Sequence, residues 1–400
     1  MRAAAGGPAV TRVRWGLIGA GAALIGTCYG LARFTYGLFA PEFRATFHIG
    51  PTMSGVIGAG SYVGYCFAIV ASVVLTERFG ARRLAVTAGV VATVGTATVA
   101  LAPSSPVLAA GVLVAGSSTG IASPPMAAAV SRWVREGVRD RAQTVVNAGT
   151  GLGVLVSGPI TLALTDQWRW AWAVFAVLAA AVTLWVGVAV PSTASERSSD
   201  SAAGAGKRGY LPGSTRMILG AMLMGMSSAA VWTFGRDLVT TIGEASSLVS
   251  TSMWTVLGAA GIVGAVGGDL VARAGLARSW TTVMVAMAAA TVLLALAPGS
   301  AIVIFLAAAV FGATYIILTA LVLLWSTRIY PQRASFGVGL SFLMIAVGQA
   351  AGAPLTGILT DSAGATAAFS TCATLGLLGA LVRPGRNATA RPHADGRPAG

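Results

Sequence analysis

The segment TCYGLARFTYGLFAP, residues 27–41, sets one arginine in the middle of an apolar run. A charge there is expensive: on the insertion scale an arginine at the centre of a lipid-spanning helix costs about 2.5–3.5 kcal/mol. Its planar guanidinium can hold a carboxylate through two parallel hydrogen bonds, which lysine cannot reproduce. Tyr29 precedes Arg33 by four residues and Tyr36 follows it by three, so an α-helix would carry all three on one face. The chemistry on offer is capture of an anion or another hydrogen-bond acceptor inside a membrane. The competing reading is an arginine whose stem lets its head reach the lipid headgroups.

A second constellation is AAVWTFGRDL, residues 229–238. Trp232 lies one turn before Arg236, and Asp237 follows directly; the three read either as groups that bind a substrate in a central cavity or, for the two charges, as an ion pair at the membrane interface. Asp237 is also the one acid that could answer Arg33 from elsewhere in the chain. Asn147 and Gln349 are amides in apolar stretches, there to touch a solute or to bridge helices. No carboxylate falls in the middle of an apolar run: Asp166, Asp269 and Asp361 sit at ends, Glu42 and Glu244 in loops. A buried arginine without a buried acid favours an anionic or neutral solute over a cation.

Other chemistries find no support. His48 and His393 stand apart, and Cys28, Cys66 and Cys372 lie in apolar runs, so neither a metal site nor a disulfide framework is expected. The sole lysine, Lys207, reads AGKRG rather than a phosphate-binding loop, and GTGLG at Gly149–Gly153 follows no strand. No cofactor and no catalytic cluster are expected. A membrane-embedded enzyme would need a carboxylate pair or a His-bearing site, and a sensor would need an output domain.

These side chains must be held by elements that suit lipid. The 400 residues are 56% hydrophobic and 10% charged, against about 25% charged in soluble domains. Runs of about 20 apolar residues mark membrane-spanning helices. Twelve are expected: roughly 15–39, 53–75, 84–102, 106–131, 143–165 and 170–190, then 216–238, 250–271, 280–298, 301–326, 334–359 and 365–382. The net charge of +14 is confined rather than spread. Threading the spans puts nearly all the arginines on the side of the termini, which makes both termini cytoplasmic and removes any need for a nucleic-acid partner. Residues 1–14 and 383–400 form tails, the latter read as disordered; 191–215 is a Ser/Gly/Ala-rich linker between halves 15–190 and 216–382. One lysine against 25 arginines points to a GC-rich bacterial genome.

PITLALTD at Pro159 returns as PLTGILTD at Pro354, 195 residues later. ALAPSS at Ala100 returns as ALAPGS at Ala295 at the same offset. The frame L-x-x-R-x-G-x-x-R occurs at Leu75, Arg78, Gly80, Arg83 and again at Leu270, Arg273, Gly275, Arg278. Six helices separate the copies, so the halves are parallel repeats. Gly149, Gly153 and Gly158-Pro159 in span 5, and Gly348, Gly352 and Pro354 in span 11, let helix backbones approach and bend.

With these landmarks the chain resembles the major facilitator superfamily of secondary transporters. The loop VVLTERFGARR is similar to the superfamily's G-x-x-x-D-R-x-G-R-R: Glu77 stands for the acid, followed by Arg78, Gly80, Arg82 and Arg83, while Val73 replaces the first glycine. Its second copy keeps Gly268, Arg273, Gly275 and Arg278 but has Ala272 at the acid position. The resemblance implies an all-α membrane protein of two six-helix halves working by alternating access, with these loops as a latch. The plainer reading of the arginines is that they hold the loops inside. It further implies that spans 1, 4, 7 and 10 line the path, adding Ser117, Ser118, Thr119, Ser123, Thr314 and Tyr315. The implied partners are a small-molecule substrate, the lipid bilayer and protons as a candidate coupling ion, with the monomer as the working unit in a bacterial cytoplasmic membrane. Uptake or exchange of a small organic anion leads; export of a drug or metabolite competes. The antiporter motif of span 5 is incomplete, with Leu162 and Ala163 where further glycines are expected.

Overall fold

A computed structural model describes residues 15–164, 167–192, 211–263, 273–331 and 334–385. The tails 1–14 and 386–400 and most of the expected linker lie outside the described residues, as do Asp166, Gly268, Asp269, Leu270 and Ala272. Among the described residues every regular element is a helix. Lipid demands this, because a helix satisfies its own backbone hydrogen bonds.

The first six long helices are α1 (Trp15–Leu38), α2 (Pro51–Phe79), α3 (Ala81–Ala100), α4 (Ser105–Trp133), α5 (Arg139–Ala163) and α6 (Trp168–Ala189). The second six are α7 (Ser214–Thr241), α8 (Ser247–Val263), α9 (Leu276–Leu296), α10 (Ala301–Ile329), α11 (Ala334–Ala363) and α12 (Ala365–Leu381). Ten are long and apolar enough to cross a membrane; α8 and α12 are shorter apolar helices. The expected continuation of α8 to residue 271 lies outside the described residues. The end of the bundle where α1 begins is the near face; the opposite end is the far face.

The helices pair in a pattern that repeats. In the first half α1 packs on α5, α2 and α3 on α4, and α3 on α6; in the second, α7 packs on α11, α8 and α9 on α10, and α9 on α12. The halves meet along two seams, α2 with α11 and α5 with α8, which the same repeat interchanges. Small residues make both seams. A Cβ on Gly55 of α2 would lie 2.5 Å from the Ala353 carbonyl of α11, beside Pro354, and a Cβ on Gly158 of α5 would collide with Thr255 of α8. Gly158 and Ala353 are themselves 195 residues apart, so the repeated phrase of the sequence is the far end of each seam.

Within each half the other repeated glycines seat helices closely. Gly149 and Gly153 of α5 lie on the carbonyls of Ala22 and Gly26, and Gly348 and Gly352 of α11 lie on those of Met222 and Met226. Gly80 (φ 83°) and Gly275 (φ 77°), at equivalent places in the repeat, turn the chain into α3 and α9 in a region that favours glycine.

Two features depart from the expected spans. α1 winds as a π-helix over Gly26–Phe34, against the glycines of α5. Such stretches inside α-helices are found frequently at functional sites. After α1 a short helix, Ala40–Phe47, runs along the far face, where only a loop was expected. Pro41 at its start and Glu42 in its first turn suit a helix N-terminus.

Candidate functional site

Arg33 is only 5% exposed and sits where the two halves meet. Its Nη2 donates to Oε1 of Gln349 on α11 at 2.6 Å. Four rings enclose the guanidinium: its carbon lies 4.7 Å from the centroid of Tyr65, 4.8 Å from Tyr62, 5.2 Å from Phe34 and 5.7 Å from Tyr29. A desolvated cation–ring contact contributes about 2 kcal/mol, so the ring box offsets part of the cost of burying the charge. No carboxylate among the described residues pairs with Arg33. The arginine is enclosed by protein rather than lying on the outer surface of the bundle, and Asp237 pairs with Arg44 instead.

Gln349 is fully buried and its amide is committed on both sides. While Oε1 accepts from Arg33, Nε2 donates to Ser228 Oγ on α7 and to Tyr315 Oη on α10, each at 3.3 Å. Tyr29 shares a 2.8 Å hydrogen bond with Ser123 of α4. Trp232 stacks on Phe34 across the halves at 3.9 Å and meets Tyr315, Phe311 and Trp254 edge-on. Beside Trp232 an apolar crevice lined by Thr150, Gly151, Leu257 and Gly258 follows the α5–α8 seam. Arg33 Nε, Trp232 Nε1 and Trp254 Nε1 are buried N–H groups with no protein acceptor.

A second layer lies toward the far face. Arg236, 3% exposed, donates through Nη1 to both carboxylate oxygens of Glu42 at 2.6 and 2.7 Å and to the Leu38 carbonyl, and through Nε to Ser250. Arg44 pairs with Asp237, which is 4% exposed. Glu42 and Arg44 belong to the short far-face helix of the first half, Arg236 and Asp237 to α7 of the second. Two ion pairs of opposite sense therefore cross between the halves. This corrects the reading of Arg236 and Asp237 as a pair with each other at the interface. Successive residues on a helix do not face one another, and each finds its partner on the other half.

Two more expectations are corrected. Tyr36 does not join Arg33; its hydroxyl donates to the Ser54 carbonyl at 2.7 Å. The α-helical spacing that would align Tyr29, Arg33 and Tyr36 is broken by the π-helical winding of Gly26–Phe34. Asn147 is exposed rather than buried, and its amide oxygen accepts from Gln143 on its own helix. Ser117, Ser118, Thr119 and Thr314 bond to their own helix backbones. Tyr62, Tyr65 and Trp254 were missed, as were Glu42 and Arg44 as partners. The first two were readable: SYVGYC places the tyrosines three apart on one helix face.

The family model of the Major Facilitator Superfamily matches residues 22–334. The chain belongs to this superfamily of secondary transporters. The transcription regulatory protein OpdE of Pseudomonas aeruginosa is 26% identical over 372 residues, covering 88% of this chain and 91% of that one. A chloramphenicol efflux pump of Mycobacterium tuberculosis is 28% identical over 326 residues, 76% of this chain and 75% of the pump. Among solved structures, a bacterial homologue of the human lysosomal transporter Spinster, inward-facing and occupied, superposes with a TM-score of 0.74 at 12% identity, covering 94% of this chain and 98% of that one. At that identity the likeness is one of fold.

The superfamily's loop lies at the near face. Glu77, Arg78, Arg83, Arg273 and Arg278 are exposed and Arg82 is partly buried. The Arg78 guanidinium lies 5.4 Å from the ring of Phe79, and Glu77 forms no ion pair among the described residues. Val73, at the first glycine position, is 43% exposed, so no close helix contact forms there. The far face is joined by ion pairs and seams, while among the described residues Glu77, Arg78, Arg273 and Arg278 of the near-face loops form no ion pair.

Proposed function

We propose that this Major Facilitator Superfamily transporter moves a small organic solute bearing a carboxylate or similar acceptor group across the bacterial cytoplasmic membrane, with Arg33 as the residue that holds it. The near face is the cytoplasmic one, because the loops there carry the arginines. The observation that carries the reading is a buried arginine at the junction of the halves, ringed by aromatic groups and without a carboxylate partner among the described residues. The unpartnered donors Arg33 Nε, Trp232 Nε1 and Trp254 Nε1 support the same conclusion. The aromatic wall of Phe34, Trp232 and Tyr315 suits a planar or apolar body attached to that group. Protons are the proposed coupling ion and the monomer the proposed unit. Export is the favoured direction, since a relative is named an efflux pump.

The test is uptake and counterflow in proteoliposomes with aromatic and aliphatic carboxylates and chloramphenicol, with and without a pH gradient. A carboxylate should drive counterflow in the wild type and fail to do so in Arg33→Ala. Movement of uncharged compounds alone, unaffected by Arg33→Ala, overturns the reading. Reporter fusions at Gly243 and Ser300 should lie outside the cell. The name of the Pseudomonas relative supports a second reading, in which the protein affects transcription. Deleting the gene would then alter transcript levels, and supplying the Arg33→Ala chain in its place would restore them.

A further inference from the structure

We infer that the Gln349 side chain is an internal placeholder for the substrate's anionic group, and that the substrate displaces it to loosen the two halves at their centre. The inference rests on Arg33 as the substrate-holding residue. Arg33 offers five N–H donors, and the hydrogen bond to Gln349 Oε1 is the one side-chain acceptor it finds among the described residues. That acceptor is the atom a carboxylate oxygen would replace. The amide cannot be turned round: Arg33 only donates, so it must see Oε1, and Nε2 is then directed at Ser228 and Tyr315.

The contact also joins the two bundles. Gln349, Ser228 and Tyr315 belong to α11, α7 and α10 of the second half, and Arg33 belongs to α1 of the first. A neutral amide oxygen takes one bond from the guanidinium, whereas a carboxylate takes two charge-assisted bonds in parallel. The exchange therefore favours the carboxylate while releasing the second half from Arg33. Gln349 acts through Arg33 and is a positioning residue.

The experiment uses the full-length purified chain in detergent, with benzoate, phenylacetate and 4-nitrobenzoate as probes, followed by calorimetry and by quenching of tryptophan emission. Gln349→Leu removes the competing acceptor and should bind the probes about tenfold more tightly than the wild type. Gln349→Glu supplies a built-in carboxylate to Arg33 and should lose probe binding, while raising the temperature of unfolding. Tighter binding in one variant and loss in the other is an outcome that helix bridging alone cannot give. If Gln349→Leu weakens binding, the amide is a substrate ligand; if both variants bind as the wild type does, it only bridges helices. Either result overturns the placeholder. Arg33→Lys run in parallel separates the two ideas: unchanged binding there, or no binding of any probe to the wild type at millimolar concentration, overturns the arginine site itself.

Discussion

Arg33 poses the question whether a buried arginine is kept for its charge or for its shape. The four surrounding rings accept any cation, since cation–ring attraction depends on charge and position. The planar fork matters only to a planar acceptor. Arg33→Lys should therefore preserve expression and insertion yet weaken substrate affinity about tenfold or more, the loss of one charge-assisted hydrogen bond. Unchanged half-saturation in the transport assay would leave Arg33 a purely structural charge. The far-face pairs make an asymmetric prediction. Asp237 and Arg236 are nearly sealed, whereas the side chains of Glu42 and Arg44 are each 25% exposed. Arg44→Ala strands a buried carboxylate and should lower stability by about 3 kcal/mol; Asp237→Asn leaves an arginine that water can reach and should cost clearly less. Equal losses in thermal unfolding would show that burial does not set the cost. Sequence pointed to Arg33, Gln349 and Trp232 because polar and aromatic groups inside apolar runs are visible one at a time, and to Tyr315 through the resemblance that puts span 10 on the path. It could not say which of them meet. Arg33 and Gln349 lie 316 residues apart, and spacing along one helix says nothing about distance to another half.

At the scale of helices, the seams set how the halves can move. Twelve apolar runs and the 195-residue repeat made the helices and their repetition legible, because lipid leaves the chain few alternatives. The π-helical winding of Gly26–Phe34 and the helix Ala40–Phe47 were not legible; the first depends on contact with Gly149 and Gly153, which local sequence does not contain. Glycines within one helix can be compared directly. At Gly55 an added Cβ meets the Ala353 carbonyl at 2.5 Å, too close to be absorbed without moving α2 from α11. At Gly60, on the same helix, the nearest atom is Leu113 Cβ at 3.7 Å, an ordinary contact. Gly55→Ala should part the far face and speed thiol labelling of cysteines placed at Tyr36 or Thr233, whereas Gly60→Ala should leave labelling unchanged. Equal labelling in the two variants would mean that the α2–α11 seam does not hold the far face shut.

For the whole molecule, alternating access requires that closing one face and opening the other be a single equilibrium. The far face is joined by two ion pairs and two seams, while the near-face loops of the repeat, around Arg78 and Arg273, are exposed. We take this arrangement as one end of that equilibrium. Among the described residues Arg78 forms no ion pair and meets the ring of its neighbour Phe79, so removing its side chain costs this state little. If Arg78 makes a cross-half contact in the opposite state, the same change destabilises that state alone. One charge-assisted hydrogen bond is about 1.5–3 kcal/mol, enough to shift the populations more than tenfold. A substitution, like a ligand, moves such an equilibrium only through its differential effect on the two states. Arg78→Ala should then slow transport, increase labelling of cysteines in the near halves of α4 and α10, and decrease labelling near Tyr36, with the chain still inserted and folded. Transport and labelling both at wild-type levels would reduce Arg78 to its part in holding the loop on the near side of the membrane.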